Sequence, residues 1–112
     1  MFRRSSIPAV AAGDVPDEAF LLDVREDDEW AAGHAPGALH VPMMEIPARI
    51  GDLPTDRDVI VVCRVGGRSA QVVAFLQQNG LDRSINLDGG MQSWAAAGRA
   101  MVSEDGGVPR VV

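Results

Sequence analysis

A single cysteine begins a segment whose composition suits the binding of a small anion. The segment reads Cys63-Arg64-Val65-Gly66-Gly67-Arg68-Ser69, and Cys63 is the only cysteine among the 112 residues. The two glycines allow tight backbone curvature, which can turn successive N–H groups toward one point. The two arginines add positive charge to an otherwise acidic chain. These residue types predict a site that combines a nucleophilic thiol with a cradle for a small oxyanion.

The nucleophile of such a site would be the thiolate of Cys63. Backbone donors and a helix N-terminus that bind an anion also stabilise a thiolate relative to a thiol. We therefore expect Cys63 to be largely ionised at neutral pH. The alternative is a buried cysteine that only fills space at a strand end. The paired glycines, both arginines and the strand–loop–helix context together favour the functional interpretation.

The residues around this segment place it between a buried strand and a helix. Val59 to Val62 are four apolar residues, all β-branched, as in a central strand of a parallel sheet. A helix is predicted from about Ser69 to Asn79, ended by Gly80. Ligands of open α/β sheets bind at the carboxyl ends of the strands. Cys63 therefore stands where a binding site is expected.

The rest of the chain alternates short strands with helices. This alternation predicts one α/β domain over residues 1–112 with a mostly parallel sheet and a core at about residues 7–100. The other strands are predicted near the N-terminus and at Phe20–Val24, Ala38–Val41 and Ser84–Leu87. The other helices are predicted at Asp27–Ala32 (with Asp27 as cap and Gly33 as end), at Met43–Ile50 and around Met91 and Trp94. Residues 101–112, with two glycines and a proline, are expected to form a loose tail.

Composition excludes several kinds of chemistry. A net charge of -6 makes sequence-independent binding to nucleic acid unfavourable. All ten basic residues are arginine, so no lysine can form a Schiff base. One cysteine cannot form an internal disulfide or a multi-cysteine zinc site. Since His34, His40 and Cys63 show no recognised metal-ligand spacing, we predict neither a metal nor a cofactor.

The N-terminus invites comparison with an export signal. Two consecutive arginines are followed by the apolar stretch Ile7 to Ala12, but this stretch is too short for a signal peptide and contains Pro8. No run approaches the length of a membrane span. We therefore expect a cytoplasmic protein that does not bind membranes, in which residues 1–6 form an irregular lead-in to the first strand.

Two charged residues follow the predicted strand that ends at Val24. Asp23 could orient an arginine of the Cys63 segment through a charge-assisted hydrogen bond, or it could form a structural ion pair that fixes the sheet edge; the structural interpretation is favoured. Arg25 is expected beside it. His34 is interpreted as a turn-stabilising residue rather than an acid or base. The acidic run from Glu26 to Glu29 is interpreted as a solvated helix start.

Three blocks of sequence resemble the rhodanese family. The first runs from Leu22-Asp23-Val24-Arg25-Glu26 through Glu29-Trp30 to Gly33-His34-Ala35-Pro36-Gly37-Ala38, the second from Cys63 to Ser69, and the third from Asn86-Leu87-Asp88-Gly89-Gly90-Met91 to Trp94 and Gly98. The resemblance implies a five-stranded parallel sheet with helices on both faces. It also implies sulfur transfer. Cys63 would take a sulfane sulfur from thiosulfate or a persulfide and pass it to cyanide or another thiophilic acceptor.

The same resemblance assigns roles within the segment. The backbone amides from Arg64 to Ser69 would stabilise the thiolate, the persulfide and the incoming anion. Family members often have a polar residue where this chain has Val65, which offers no hydroxyl donor. Because the chain has no second cysteine, the acceptor must be an external small thiol or protein thiol.

Domains that resemble the rhodanese family also include two kinds of protein with other functions. Phosphatases of the Cdc25 type, with the related arsenate reductases, place seven residues from cysteine through arginine, whereas rhodaneses that use thiosulfate place six. Cys63 through Arg68 is six residues, which disfavours a phosphatase. Non-catalytic binding modules commonly lack the cysteine, and this chain retains it with both arginines. The sequence therefore favours a sulfurtransferase.

Overall fold

Five parallel strands form one sheet, in the order β1-β5-β4-β2-β3, in the computed structural model, which describes residues 7–112. The strands are β1 (Ala9–Ala11), β2 (Phe20–Asp23), β3 (Leu39–His40), β4 (Val59–Val62) and β5 (Ser84–Asp88). Each pair of neighbours is parallel. The run of β-branched residues forms the middle strand β4, and all four of its residues are buried. The predicted α/β fold with a five-stranded sheet is confirmed.

The helices connect these strands and cover both faces of the sheet. Within the same residues they are α1 (Asp27–Ala32), α2 (Ile46–Arg49), α3 (Gly67–Gln78) and α4 (Gly90–Ala96). Helix α3 connects β4 to β5, so its first turn lies directly after the Cys63 segment. Helix α4 follows β5, which is a neighbour of β4 in the sheet. Two helix N-termini therefore meet at the carboxyl end of the central strand.

Each face of the sheet buries its own apolar cluster because alternate strand residues point to opposite sides. Val59 and Val61 of β4 pack on one side, and Cys63 belongs to the same cluster. Ile60 and Val62 pack on the other side. Helices α2 and α3 add Ile46, Val72, Val73 and Leu76 to the first cluster, and α4 adds Met91 and Trp94 to the second. Cys63 is thus fixed by packing against α3.

The helix predicted over Met43–Ile50 is interrupted. Residues 43–45 and 50–52 form 3₁₀ turns, and only Ile46–Arg49 is α-helical. Pro47 explains the break, because its ring lacks the N–H that would bond to the carbonyl of Met43 and clashes with that carbonyl. The amide of Ile46 bonds to the carbonyl of Met43 instead.

Helix α1 has the predicted bounds but not the predicted cap. Glu26, with an extended backbone, is the N-cap, and Asp27 is already helical. The backbone N–H of Glu26 donates to Oε1 of Glu29 at 2.9 Å, which satisfies a donor at the helix start. The prediction of Asp27 as cap is wrong by one residue, because Glu26 and Glu29 form a reciprocal capping box.

The segment expected to be a loose tail is instead hydrogen-bonded to the body of the protein. Val102 and His34 exchange two backbone hydrogen bonds of 2.9 Å, and the amides of Glu104 and Arg110 donate to the carbonyls of Ala31 and Ala32. Turn residues in 101–112 therefore direct the chain back along the end of α1 rather than loosening it. The expected lead-in at residues 1–6 lies outside the described residues. None of the helices in residues 7–112 is long and apolar enough to cross a membrane.

Candidate active site

Cys63 lies directly after β4, at the carboxyl edge of the sheet. Its side chain is 1% exposed, and its sulfur faces the first turn of α3. The backbone N–H of Gly66 donates to Sγ at 3.1 Å. The amides of Val65 and Ser69 also favour the thiolate. The loop therefore directs several donors at one sulfur atom, as predicted from its composition.

Only one of the two loop glycines has a backbone that requires glycine. Gly66 has φ of +108°, which lies in the left-handed region that other residues rarely adopt. Gly67 is the first residue of α3, and a side chain there would meet open space. Of the two glycines expected to allow tight curvature, only Gly66 therefore has a backbone conformation that depends on glycine. Helix α3 also begins two residues before the predicted start at Ser69.

Helix α4 holds the backbone of the loop in place. The amide of Met91 donates to the carbonyl of Cys63 at 2.8 Å, and that of Gln92 donates to the carbonyl of Arg64 at 3.0 Å. This contact requires Gly90, with φ of +60°, because a Cβ there would lie 2.5 Å from the Cys63 oxygen and 2.6 Å from Arg64 backbone atoms. With the carbonyls bound on the outside, the loop amides turn inward toward Sγ.

Ser69 is buried beside the sulfur, and Asn86 of β5 positions it. Ser69 Oγ lies 3.2 Å from Cys63 Sγ and 2.6 Å from Asn86 Oδ1. Asn86 Nδ2 donates to the carbonyl of Gly66 at 3.2 Å, which turns its Oδ1 toward Ser69. A hydroxyl has one proton, so the sulfur and the amide oxygen compete for it. Ionisation of Cys63 favours the bond to sulfur, because charged acceptors bind more strongly.

The pKa of the Cys63 thiol is lowered from its ordinary value despite burial. Burial is the largest single influence and raises the pKa. The Ser69 hydroxyl, and then the amides of Ser69, Gly66 and Val65, lower the pKa and together outweigh burial. The direction agrees with the expectation of a readily ionised nucleophile.

Replacing Ser69 by alanine is expected to raise the pKa of Cys63, since the largest stabilising hydrogen bond is lost. The rate of alkylation by iodoacetamide follows the thiolate fraction. The pH midpoint of this rate should therefore be higher in Ser69→Ala than in the parent protein. Ser103→Ala, in the tail, serves as the matched control and should leave the titration unchanged. A midpoint in Ser69→Ala equal to or below that of the parent would contradict this role.

The two arginines of the loop differ in their partners. Arg68 donates through both terminal nitrogens to the carboxylate of Glu29, at 2.8 and 2.9 Å. Arg64 is exposed and forms no ion pair with any residue in 7–112. Val65, beside it, is also exposed at the loop surface. Arg68 is thus paired with an acidic residue whereas Arg64 is not, and the binding of an anion by the two arginines stays a prediction.

The supporting residues Asp23 and Arg25 are fully buried and form an ion pair with each other. Arg25 donates to both carboxylate oxygens of Asp23, at 2.7 to 3.1 Å, and to the carbonyl of Gly33 at 2.7 Å. Asp23 forms no ion pair with Arg64 or Arg68. The pair joins the end of β2 to the end of α1, which supports the structural interpretation.

His34 is likewise bound to structural partners. Its Nδ1 lies 3.0 Å from the carbonyl oxygen of Ala35, and its Nε2 lies 2.9 Å from Oε2 of Glu104. Its ring stacks on that of Trp30 with centroids 3.4 Å apart. These contacts anchor the turn and the tail rather than reaching the sulfur. In residues 7–112, no cluster of three or more acidic, histidine or cysteine side chains could hold a metal ion.

Three residues that contribute to the site were not predicted as site residues. In the sequence, Asn86 and Gly90 are only parts of the third block, and Glu29 is part of an acidic run that is interpreted as solvated. Their contacts to the loop join residues 17 to 39 positions apart in the chain, so local spacing gives no sign of them. The paired glycines at 89 and 90 were the one available signal that backbone approaches backbone closely there.

The fold and the site define a small α/β domain with a buried cysteine whose sulfur faces the amides of the following loop. The family model of the rhodanese-like domain matches residues 9–97. A sulfurtransferase from Allochromatium vinosum is 43% identical over 90 residues, which cover 80% of this chain and 84% of that protein. The chain belongs to the rhodanese-like domain family.

Solved structures agree with this assignment. A rhodanese-related protein from Thermoplasma volcanium is 33% identical with a TM-score of 0.79, and the match covers 85% of this chain and 97% of that one. A thiosulfate sulfurtransferase from Pseudomonas aeruginosa is 31% identical with a TM-score of 0.77, over 88% of this chain and 20% of that one. These similarities support a role as a sulfurtransferase or sulfur carrier.

Proposed function

We propose that this protein is a sulfurtransferase that carries the transferred sulfur on Cys63 as a persulfide, with thiosulfate or an organic persulfide as donor. The observation that carries the proposal is the set of donors around Sγ at the end of a buried strand. Gly66 N–H and Ser69 Oγ lie 3.1 and 3.2 Å from the sulfur. Such donors suit a group that is anionic both before and after it receives a sulfur atom.

The first half-reaction, with thiosulfate, begins with attack of the Cys63 thiolate on the sulfane sulfur. A new S–S bond forms to Cys63, the S–S bond of thiosulfate breaks, and sulfite leaves with the electron pair. Charge is conserved, because a thiolate and a dianion become a persulfide anion and a dianion. No proton is transferred in this step, which agrees with the structural role of His34.

The second half-reaction releases the sulfur to an acceptor outside the chain. A thiophilic acceptor such as cyanide attacks the terminal sulfur, which breaks the new S–S bond and regenerates the thiolate. Cys63 is the only cysteine, so an internal disulfide cannot release it. The acceptor in the cell would be a small thiol or a protein thiol, and a reducing compartment such as the cytoplasm would keep Cys63 available.

Initial-rate kinetics test this function. Two half-reactions that share one covalent intermediate predict ping-pong behaviour, with parallel double-reciprocal lines when thiosulfate and cyanide are varied. The loop of six residues from Cys63 through Arg68 favours sulfur over a tetrahedral phosphate, so an aryl phosphate should not be hydrolysed. Hydrolysis of the phosphate without sulfur transfer would show that the protein is a phosphatase. The absence of both reactions would indicate a non-catalytic binding module.

A further inference from the structure

The ion pair between Glu29 and Arg68 joins α1 to the active-site loop. Both terminal nitrogens of Arg68 bind the carboxylate, a bidentate geometry that fixes the planes of both groups. Glu29 is 13% exposed and Arg68 is 34% exposed, so water screens this pair less than an ordinary surface pair. Arg68 therefore contributes little free charge to the mouth of the site.

Glu29 is held in place for this contact. Its Oε1 also accepts the backbone N–H of Glu26, which anchors the carboxylate at the start of α1. The hydrogen bond from Arg68, against the opposing effect of burial, lowers the pKa of Glu29 to about 2. Glu29 is consequently ionised throughout the neutral range. The neighbouring Asp27 and Asp28 are exposed and add further negative charge on the same helix.

The ion pair is built on the loop that begins at Cys63 and continues into the first turn of α3. Arg68 precedes Ser69, whose hydroxyl contacts the sulfur. The charge of Cys63 contributes to a raised pKa of Arg68, after the larger contribution of the hydrogen bond to Glu29. Arg68 thus belongs to the same loop as the reacting sulfur, and Glu29 balances its charge. Arg64, at the exposed surface, is the remaining cation of the loop.

We propose that Glu29 is a specificity-determining residue, which neutralises Arg68 and thereby directs the site toward an organic persulfide rather than dianionic thiosulfate. This inference rests on the proposed sulfur transfer and narrows its donor. A dianion gains twice as much as a monoanion from a free cation and loses twice as much when that cation is neutralised. A persulfide carries one negative charge at its terminal sulfur, or none when protonated.

The chemistry with a persulfide donor balances without an added reactant. The Cys63 thiolate attacks the terminal sulfur of a protonated persulfide, the S–S bond of the donor breaks, and the donor leaves as a thiolate. Cys63 becomes the protonated persulfide, so the proton stays on the transferred sulfur. The loop then has a sulfur centre of low charge to stabilise, and the donors that reach Sγ are the loop amides and the Ser69 hydroxyl.

Loading of Cys63 by each donor tests this inference. Rapid mixing, acid quench and intact-mass measurement give the maximal rate and the half-saturating concentration for thiosulfate and for freshly prepared 2-hydroxyethyl persulfide. In Glu29→Gln, the half-saturating thiosulfate concentration should fall about tenfold, while that of the persulfide donor, which carries one negative charge at most, should fall no more than about threefold. In the double variant E29Q/R68Q, which removes both charges, the thiosulfate value should return to near that of the parent.

Two controls separate specificity from stability. Asp58→Asn breaks an exposed ion pair with Arg83 (3.0 Å) before β4, at the opposite end of that strand from Cys63, and changes net charge by the same amount. This variant should leave the half-saturating concentrations of both donors unchanged. Glu29→Asp keeps the charge on a shorter side chain and should give an intermediate fall for thiosulfate, which provides a readout if Glu29→Gln folds poorly.

The possible failures are distinguishable. If the parent protein gains sulfur from neither donor, the proposed function itself is wrong. If the parent is loaded but Glu29→Gln and Glu29→Asp change both donors by the same factor, Glu29 has only a structural role and the inference is overturned. If Asp58→Asn lowers the half-saturating thiosulfate concentration as much as Glu29→Gln does, the inference is overturned too, because net charge alone would then account for the effect.

Discussion

Replacing Cys63 by serine is expected to lower sulfur transfer by about a thousandfold or more, because the atom that carries the sulfur is lost. A serine hydroxyl is scarcely ionised at neutral pH and does not form a stable equivalent of a persulfide. Ser69 and the loop amides remain in place, but they have no thiolate to stabilise. Steady-state rates with thiosulfate and cyanide measure the loss.

The same variant should fold normally. Serine is close to cysteine in size, and its oxygen can accept the Gly66 N–H that cysteine accepts through Sγ. We expect a change in the free energy of unfolding of about 1 kcal/mol or less, measured by chemical denaturation. Retention of more than a tenth of the parent's rate in a folded Cys63→Ser protein would remove Cys63 from the centre of the mechanism.

Replacing Gly90 by alanine is expected to destabilise the protein by about 2–5 kcal/mol and to disorganise the active-site loop. Two effects add: the left-handed backbone costs an L-residue about 1–2 kcal/mol, and forcing atoms into filled space costs about 1–3 kcal/mol. The new Cβ would lie 2.5 to 2.6 Å from backbone atoms of Cys63 and Arg64. Since these are backbone atoms, the loop itself must move, and sulfur transfer should fall with stability.

Gly98→Ala is the matched control for this effect. Gly98 also has a left-handed backbone, with φ of +71°, but a Cβ there would meet nothing within 4 Å. Its cost should be limited to the backbone strain of about 1–2 kcal/mol, with transfer activity retained. Urea denaturation and loading of Cys63 would be measured for both variants. Equal destabilisation by the two substitutions would show that the contact between α4 and the loop is not essential.

The parts of the fold that follow from local pattern could be predicted from the sequence. The run from Val59 to Val62 has no polar face, and only a central strand covered on both sides buries such a run. The loop after it contains a cysteine, glycines and arginines in consecutive positions, so its chemistry is legible without the structure. The limits of α1 were also correct, because Gly33 marks the end of the helix.

The parts that depend on contacts distant in sequence could not be predicted. Arg68 reads as a free cation in the sequence, and only the position of α1 brings Glu29 to it. Glycine and proline in the tail predict a loose segment, yet Val102 and Arg110 bond to α1 and the turn after it. In both cases the two contacting residues are far apart in the sequence, and local sequence periodicity does not predict such contacts.

The mass of the intact protein after incubation with a sulfane donor tests the central claim most directly. The measurement is made with thiosulfate and with 2-hydroxyethyl persulfide, on the parent and on Cys63→Ser. The parent should gain the mass of one sulfur atom and lose it again on addition of cyanide. While the sulfur is bound, alkylation should modify Cys63 as a persulfide and not as a free thiol. The serine variant should gain nothing. A parent protein that gains no sulfur from either donor, or a serine variant that gains as much as the parent, would contradict transfer through Cys63.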